Sequence, residues 1–230
     1  MKATDYYAKT ESRTSDHGHD ACFGSDVMHP FDFIEGWVKR EGKGGRFLDI
    51  GCQMGLLIRR LQSEFDECYG IDVGDYSKDW AKLPSAKFCL HDMDAAPLPF
   101  ADNYFRVVSC VMVLEHVFDV YGLIGEAARV TQPGGLFMVE VPNIGYYKHI
   151  LDLIRGRVPR TGAREFPFVR EQGWDGQHIH NFTLKELSIT FNDFGLEVVD
   201  HGSRGRWPGI RKIWPSMLYS SIILVGRAKK

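Results

Sequence analysis

The 230-residue chain has five cysteines and no C-x-x-C pair. An odd count without that spacing excludes a disulfide framework and a zinc knuckle, and predicts a reducing, cytoplasmic setting. No charge of one sign dominates: 28 basic residues stand against 30 acidic ones. That balance argues against a dedicated nucleic-acid binder, which is normally basic overall. The polar opening stretch, MKATDYYAKTESRTSDHGHD, lacks the apolar core of a signal peptide. The longest late apolar run, Tyr219 to Gly226, is too short to span a bilayer. A G-x-G-x-x-G turn is also missing, so a dinucleotide pyrophosphate has no seat. These absences leave a soluble chain of one well-cored domain.

What the chain does have is a ladder of acids at the ends of short apolar runs: Asp49 in RFLDIG, Asp72 in CYGIDVG and Asp92 in FCLHDMD. The runs predict strands over 47–50, 68–73, 87–90, 105–113 and 136–141, with helical periodicity at 56–65, 120–130 and 184–194. Alternation of this kind predicts an α/β, doubly wound, mostly parallel sheet with helices on both faces. Two further runs, 196–200 and 219–225, follow without helical periodicity between them and predict an antiparallel hairpin at a sheet edge. Residues 143–181 interrupt the rhythm for far longer than an ordinary connection, which predicts a substrate cap. The expected organisation is an N-terminal arm over 1–30 and a domain over 31–230 carrying that cap.

Successive strand ends in such a sheet face one crevice. Asp72 follows the Gly51 to Gly55 turn by about twenty residues, the spacing at which an acid accepts hydrogen bonds from ribose hydroxyls. Asp49, beside the turn, repels a pyrophosphate and suits a cation. S-adenosyl-L-methionine has a ribose, an ammonium, a sulfonium and no phosphate, and it fits. On these residues, and on the blocks LDIGCQMG, PLPFADNYFRVVSCVMVLEHV, QPGGLFMVEVPN and HIHNFTLKELSITFNDFGLEVV, the chain resembles the class I S-adenosylmethionine-dependent methyltransferases. The likeness is to their small-molecule branch, which includes the ubiquinone-pathway O-methyltransferases. The resemblance implies the Rossmann-like methyltransferase fold, seven strands with the last one antiparallel. It also implies a cofactor site of Asp49, Gly51, Cys52, Gln53, Gly55, Asp72, Val73, Asp92, Met93 and Val111. Gln53 stands where the family usually has glycine, Arg106 where it usually has aspartate, and Met112 where some ubiquinone-pathway members have a metal-binding glutamate.

Glu115 and His116, in VLEHV just after the fourth strand, face the expected acceptor side, and histidine has the pKa to take a hydroxyl proton near neutrality. A structural pair under the cap is the alternative. His178 and His180 alternate in DGQHIHNFT; their spacing demands no metal, so none is expected, and an acceptor-positioning or structural role is the reading. Thr183 with Glu186 resembles a capping box. Tyr6 and Tyr7 are candidates to fold over the cofactor or to fray. Arg204, Arg206, Trp207, Arg211, Lys212 and Trp214 are candidates to grip an anionic or lipid-bearing acceptor, or to form a solvated edge.

Six basic residues against Asp152 and Glu165 between Lys148 and Arg170, and seven with no acid after His201, predict an anionic small-molecule acceptor. The expected activity is methyl transfer from S-adenosylmethionine to a small or glycan-like acceptor at oxygen. N-methylation and cofactor binding without catalysis are the alternatives. The D/N-P-P-Y/F signature of nucleic-acid adenine methyltransferases is absent where VLEHV stands, and no nucleic-acid partner is expected.

Overall fold

The computed structural model describes residues 29–162, 178–205 and 208–229. The arm with Tyr6 and Tyr7, much of the predicted cap including Arg164, and Arg206 with Trp207 lie outside the described residues. The strands are β1 (Arg46–Ile50), β2 (Glu67–Asp72), β3 (Ala86–Leu90), β4 (Phe105–Val111), β5 (Thr131–Pro142), β6 (Leu196–Gly202) and β7 (Ser221–Ala228). They form one seven-stranded sheet in the order β3-β2-β1-β4-β5-β7-β6. β1 to β5 pair in parallel, while β7 runs antiparallel to both β5 and β6.

The helices are α1 (Pro30–Trp37), α2 (Leu56–Leu61), α3 (Ser77–Trp80), α4 (Val120–Val130), α5 (Tyr147–Ile154) and α6 (Leu184–Asp193), followed by the single turns α7 (Pro208–Arg211) and α8 (Pro215–Leu218). Side chains alternate across each strand, so neighbours feed opposite cores. Leu48, Val108 and Phe137 pack with Ile124 and Ala127 of α4 and with Leu187 and Phe191 of α6. Phe47, Val107 and Met138 pack with Ile34 of α1, with Leu57, Ile58 and Leu61 of α2, and with Trp80 of α3. Asp119 starts α4 by accepting from the Gly122 N–H at 2.8 Å, and Thr183 starts α6 by accepting from the Glu186 N–H at 3.3 Å.

One expectation is met and one corrected. The hairpin of β6 and β7 lies at a sheet edge, with β6 outermost and the last strand, β7, inserted antiparallel between β5 and β6. The run SIILVG is apolar without alternation because it is covered on both faces, whereas β6 is largely half-buried along its length. The connection between these strands is not helix-free, since α7 and α8 occupy it, each opening on a proline suited to the first turn. The interrupting segment holds α5, and its two ends meet where Asn143 bridges to Phe182. Asn143 secures that junction, donating through Nδ2 to the Tyr219 carbonyl and accepting at Oδ1 from the Gly145 N–H. Among the described residues no helix is long and apolar enough to cross a membrane.

Candidate functional site

The turn after β1 is shaped by what cannot be there. Gly51 has φ +72°, and a Cβ on it would lie 2.1 Å from Val113 Cγ2. Gly55 also has a positive φ. Gln53, between them, adopts φ +43° with a full side chain, a conformation that favours glycine. Two hydrogen bonds hold it there: its N–H donates to Asp72 Oδ2 at 2.9 Å, and its carbonyl accepts from Trp80 Nε1 at 2.7 Å. Trp80 reaches that carbonyl across Gly70, where a Cβ would sit 2.2 Å from the indole.

Asp72, at the end of β2, is buried and accepts at Oδ1 from the Gly74 N–H at 2.9 Å, as well as at Oδ2 from Gln53. Burial raises its pKa against the opposing pull of these amides. A carboxylate has about four acceptor positions, so the two amide bonds leave capacity for a ribose diol. Asp49 sits in register with Ser109 of β4, whose hydroxyl donates to its Oδ1 at 2.6 Å. Burial is the main cause that pushes the Asp49 carboxyl up to about 7, with the nearby Asp72 adding to it and Ser109 opposing. This is a carboxyl poised to ionise beside a cation. Burial pushes the Cys52 and Cys110 thiols far up, so neither is a nucleophile.

The third strand end is tied to the second: the His91 N–H donates to the Asp72 carbonyl at 2.8 Å. Asp92 accepts from the Asp94 N–H, and Met93 packs on the core below. Asp94 in turn accepts from the N–H groups of Phe118 and Asp119, joining this loop to the one after β4. Val73 and Val111 are half-buried at the ends of β2 and β4.

After β4 the backbone turns at Met112, with φ +56°, and delivers Glu115 and His116. Glu115 is fully buried, and neither carboxylate oxygen has a hydrogen-bond partner among the described residues. Burial foremost, and then Glu140, push it up to about 8, against the pull of Arg204. His116 Nε2 lies 4.0 Å from Glu115 Oε1. The His178 ring stands edge-on to the His116 ring at 4.8 Å. Its Nδ1 meets Thr161 Oγ1 at 2.8 Å, and the next residue, Ile179, donates its N–H to the Glu115 carbonyl at 2.8 Å. One ligand atom from each of Glu115, His116 and His178 can be chosen so that all lie within 4.8 Å of one another. His180 does not join them; it faces Phe182.

The candidate acceptor grip of the late basic residues is corrected for Arg204, Arg211 and Lys212, because each is engaged within the fold. Arg204 Nε donates to the buried Glu140 at 2.8 Å. Arg211 donates to the carbonyls of Arg204 and Leu218. Lys212 lies 3.6 Å from Asp200. Sequence reasoning missed Trp80, Asp94, Ser109 and Glu140. Only Trp80 left a signal, a large aromatic at the end of the short helix that follows the acid of β2.

A family model described as a methyltransferase domain matches residues 27–201. The chain is 28% identical over 170 residues to a demethylmenaquinone methyltransferase of Bacillus licheniformis, covering 69% of this chain and 73% of that protein. It is 24% identical over 163 residues to a ubiquinone biosynthesis O-methyltransferase of Vibrio cholerae, covering 69% and 60%. It thus spans about 60% of the length of that second relative. A solved S-adenosylmethionine-dependent methyltransferase from Mesorhizobium loti superposes with a TM-score of 0.63 at 16% identity, covering 86% of this chain and 98% of that one. That likeness is one of fold.

Proposed function

The chain belongs to the S-adenosylmethionine-dependent methyltransferases, whose domain model matches residues 27–201, and from that membership we propose that it methylates an oxygen of a small anionic acceptor held beneath the 143–181 segment. The observation that carries this reading is the convergence within 4.8 Å of Glu115 and His116, in the loop that packs on the Gly51 turn, with His178 from beyond α5. A hydroxyl acceptor must shed a proton during transfer, whereas a neutral amine attacks with its lone pair as it stands. A proton-handling cluster on the acceptor side therefore favours oxygen.

The cofactor-side residues fit the cofactor. Gly51 lets Val113 close directly on the turn, where a Cβ would clash, and Gly55, Cys52, Gln53 and Val73 continue that wall. Asp72 takes the ribose hydroxyls. Asp92 and Met93 take the adenine, Asp49 lies toward the cationic methionine arm, and Val111 forms part of the floor. When bound, S-adenosylmethionine supplies a methyl on positive sulfur. The chain's own contribution is alignment, exclusion of water and assistance to the loss of the acceptor proton at the Glu115, His116 and His178 cluster. Lys148, Arg155 and Arg157 on and after α5 are exposed and supply the positive field that favours an anionic acceptor.

The test is incubation with methyl-labelled S-adenosylmethionine and an extract of small acidic metabolites, with carbon NMR of the product. A labelled methoxy carbon is expected. An N-methyl product sinks the oxygen assignment, and cofactor binding with no transfer to any fraction favours a binding protein instead.

A further inference from the structure

We infer that Glu115, His116 and His178 together hold a divalent transition-metal cation. The inference rests on the methyl-transfer reading, because it gives the cation's open position to the acceptor oxygen.

The first ground is an orphaned carboxyl group. Glu115 is 0% exposed and neither of its oxygens accepts a hydrogen bond among the described residues. Buried carboxylates normally have partners, and one without them calls for an explanation. Arg204 turns its Nε to Glu140 Oε1 at 2.8 Å.

The second ground is convergence from separate parts of the chain. Glu115 and His116 follow β4, while His178 arrives from beyond α5, yet their three donor atoms lie within 4.8 Å of one another. Two bonds fix this meeting. Ile179 donates to the Glu115 carbonyl, and Thr161 engages His178 Nδ1 at 2.8 Å. A hydrogen bond to one ring nitrogen is the outer-shell device that aims a metal-ligating imidazole through the other.

The donor set then selects the metal. Two imidazoles and one carboxylate suit zinc, cobalt, iron or nickel, whereas magnesium prefers an all-oxygen shell. Three protein ligands leave a coordination position for a substrate oxygen, as catalytic sites do.

The experiment is a Co2+ titration of the metal-stripped full chain, followed by visible absorption, with S-adenosylmethionine calorimetry on each variant as an independent report of the fold. Ligand-field bands of a low-coordinate cobalt site are expected, displaced by Zn2+ and not by a large excess of Mg2+. His178→Ala and Glu115→Gln should remove the bands. Thr161→Val, which keeps all three donors, should retain them and weaken cobalt affinity about 10–100-fold. The cation site is overturned if wild-type protein gives no bands, if the bands survive His178→Ala unchanged, or if Mg2+ displaces cobalt as readily as Zn2+ does. Bands with this variant pattern in a chain that does not bind S-adenosylmethionine would sink the methyl-transfer reading and leave the cation site standing.

Discussion

Asp49 is a carboxyl that burial pushes toward its neutral form and that a cationic ligand would charge. Its folded pKa, about 7, lies above the ordinary 3.8. The stability that this retained proton contributes is therefore full below about 3.8 and is lost as pH rises to about 7. Binding of S-adenosylmethionine has the opposite sign, since the ligand's positive charge favours ionised Asp49. Calorimetry should show affinity falling by up to about tenfold per pH unit below neutrality, and Asp49→Asn should flatten that slope. Gln53→Gly relieves a positive φ worth about 1–2 kcal/mol and keeps the N–H that donates to Asp72. It should raise the urea midpoint and tighten cofactor binding; weaker binding would mean that the glutamine side chain touches the ligand. Asp72→Ala removes a charged acceptor and should weaken cofactor affinity by about 1.5–3 kcal/mol, measured on protein shown to be folded. These acids were legible because an acid closing an apolar run needs a partner. Glu140 was not legible, because its partner, Arg204, is held against it only by the folded sheet.

At the scale of elements, the cofactor turn depends on α3 through one indole. A Cβ at Gly70 would stand 2.2 Å from Trp80 and 2.7 Å from the Cys52 sulfur. Gly70→Ala should therefore push Trp80 outward, break its bond to the Gln53 carbonyl and cost about 1–3 kcal/mol of stability as overpacking. Cofactor affinity should fall with it. Trp80→Phe removes the bond without the clash, and comparing the two by urea unfolding and calorimetry separates packing from hydrogen bonding. The parallel strands and α4 were readable from periodicity, as in VYGLIGEAARV. The segment 147–154 was not read as a helix, although it became α5 with Tyr147, Ile150, Leu151 and Ile154 at helical spacing on one face; that stripe is short and exposed, not buried, as at Leu151 and Ile154, so it stood out less than the long buried periods.

Across the whole molecule, part of the positive charge noted after His201 is already paired: Arg204 with the buried Glu140, and Lys212 and Arg227 with Asp200 and Glu41 at the surface. On the proposed reading, the field for an anionic acceptor comes mainly from the segment around α5. Charge reversal at Arg157 and Arg160 should raise the acceptor's KM and flatten its salt dependence while cofactor affinity holds. Normal turnover at both low and high salt would reduce those arginines to solvated surface. The net charge of −2 hid this division, because composition counts charges without their partners.

The insertion of β7 between β5 and β6 also sets an order of events during synthesis. A ribosome releases β6 before β7, yet β6 has no neighbour in the sheet except β7. Until β7 emerges, β5 shows an open edge that includes Phe137, Val139 and Val141, all buried in the finished sheet, and β6 has nothing to join. An unpaired apolar edge recruits other strands. The nascent chain is thus most in need of a chaperone in the interval between releasing β5 and releasing β7, and a translational pause there should increase aggregation more than one placed after β7.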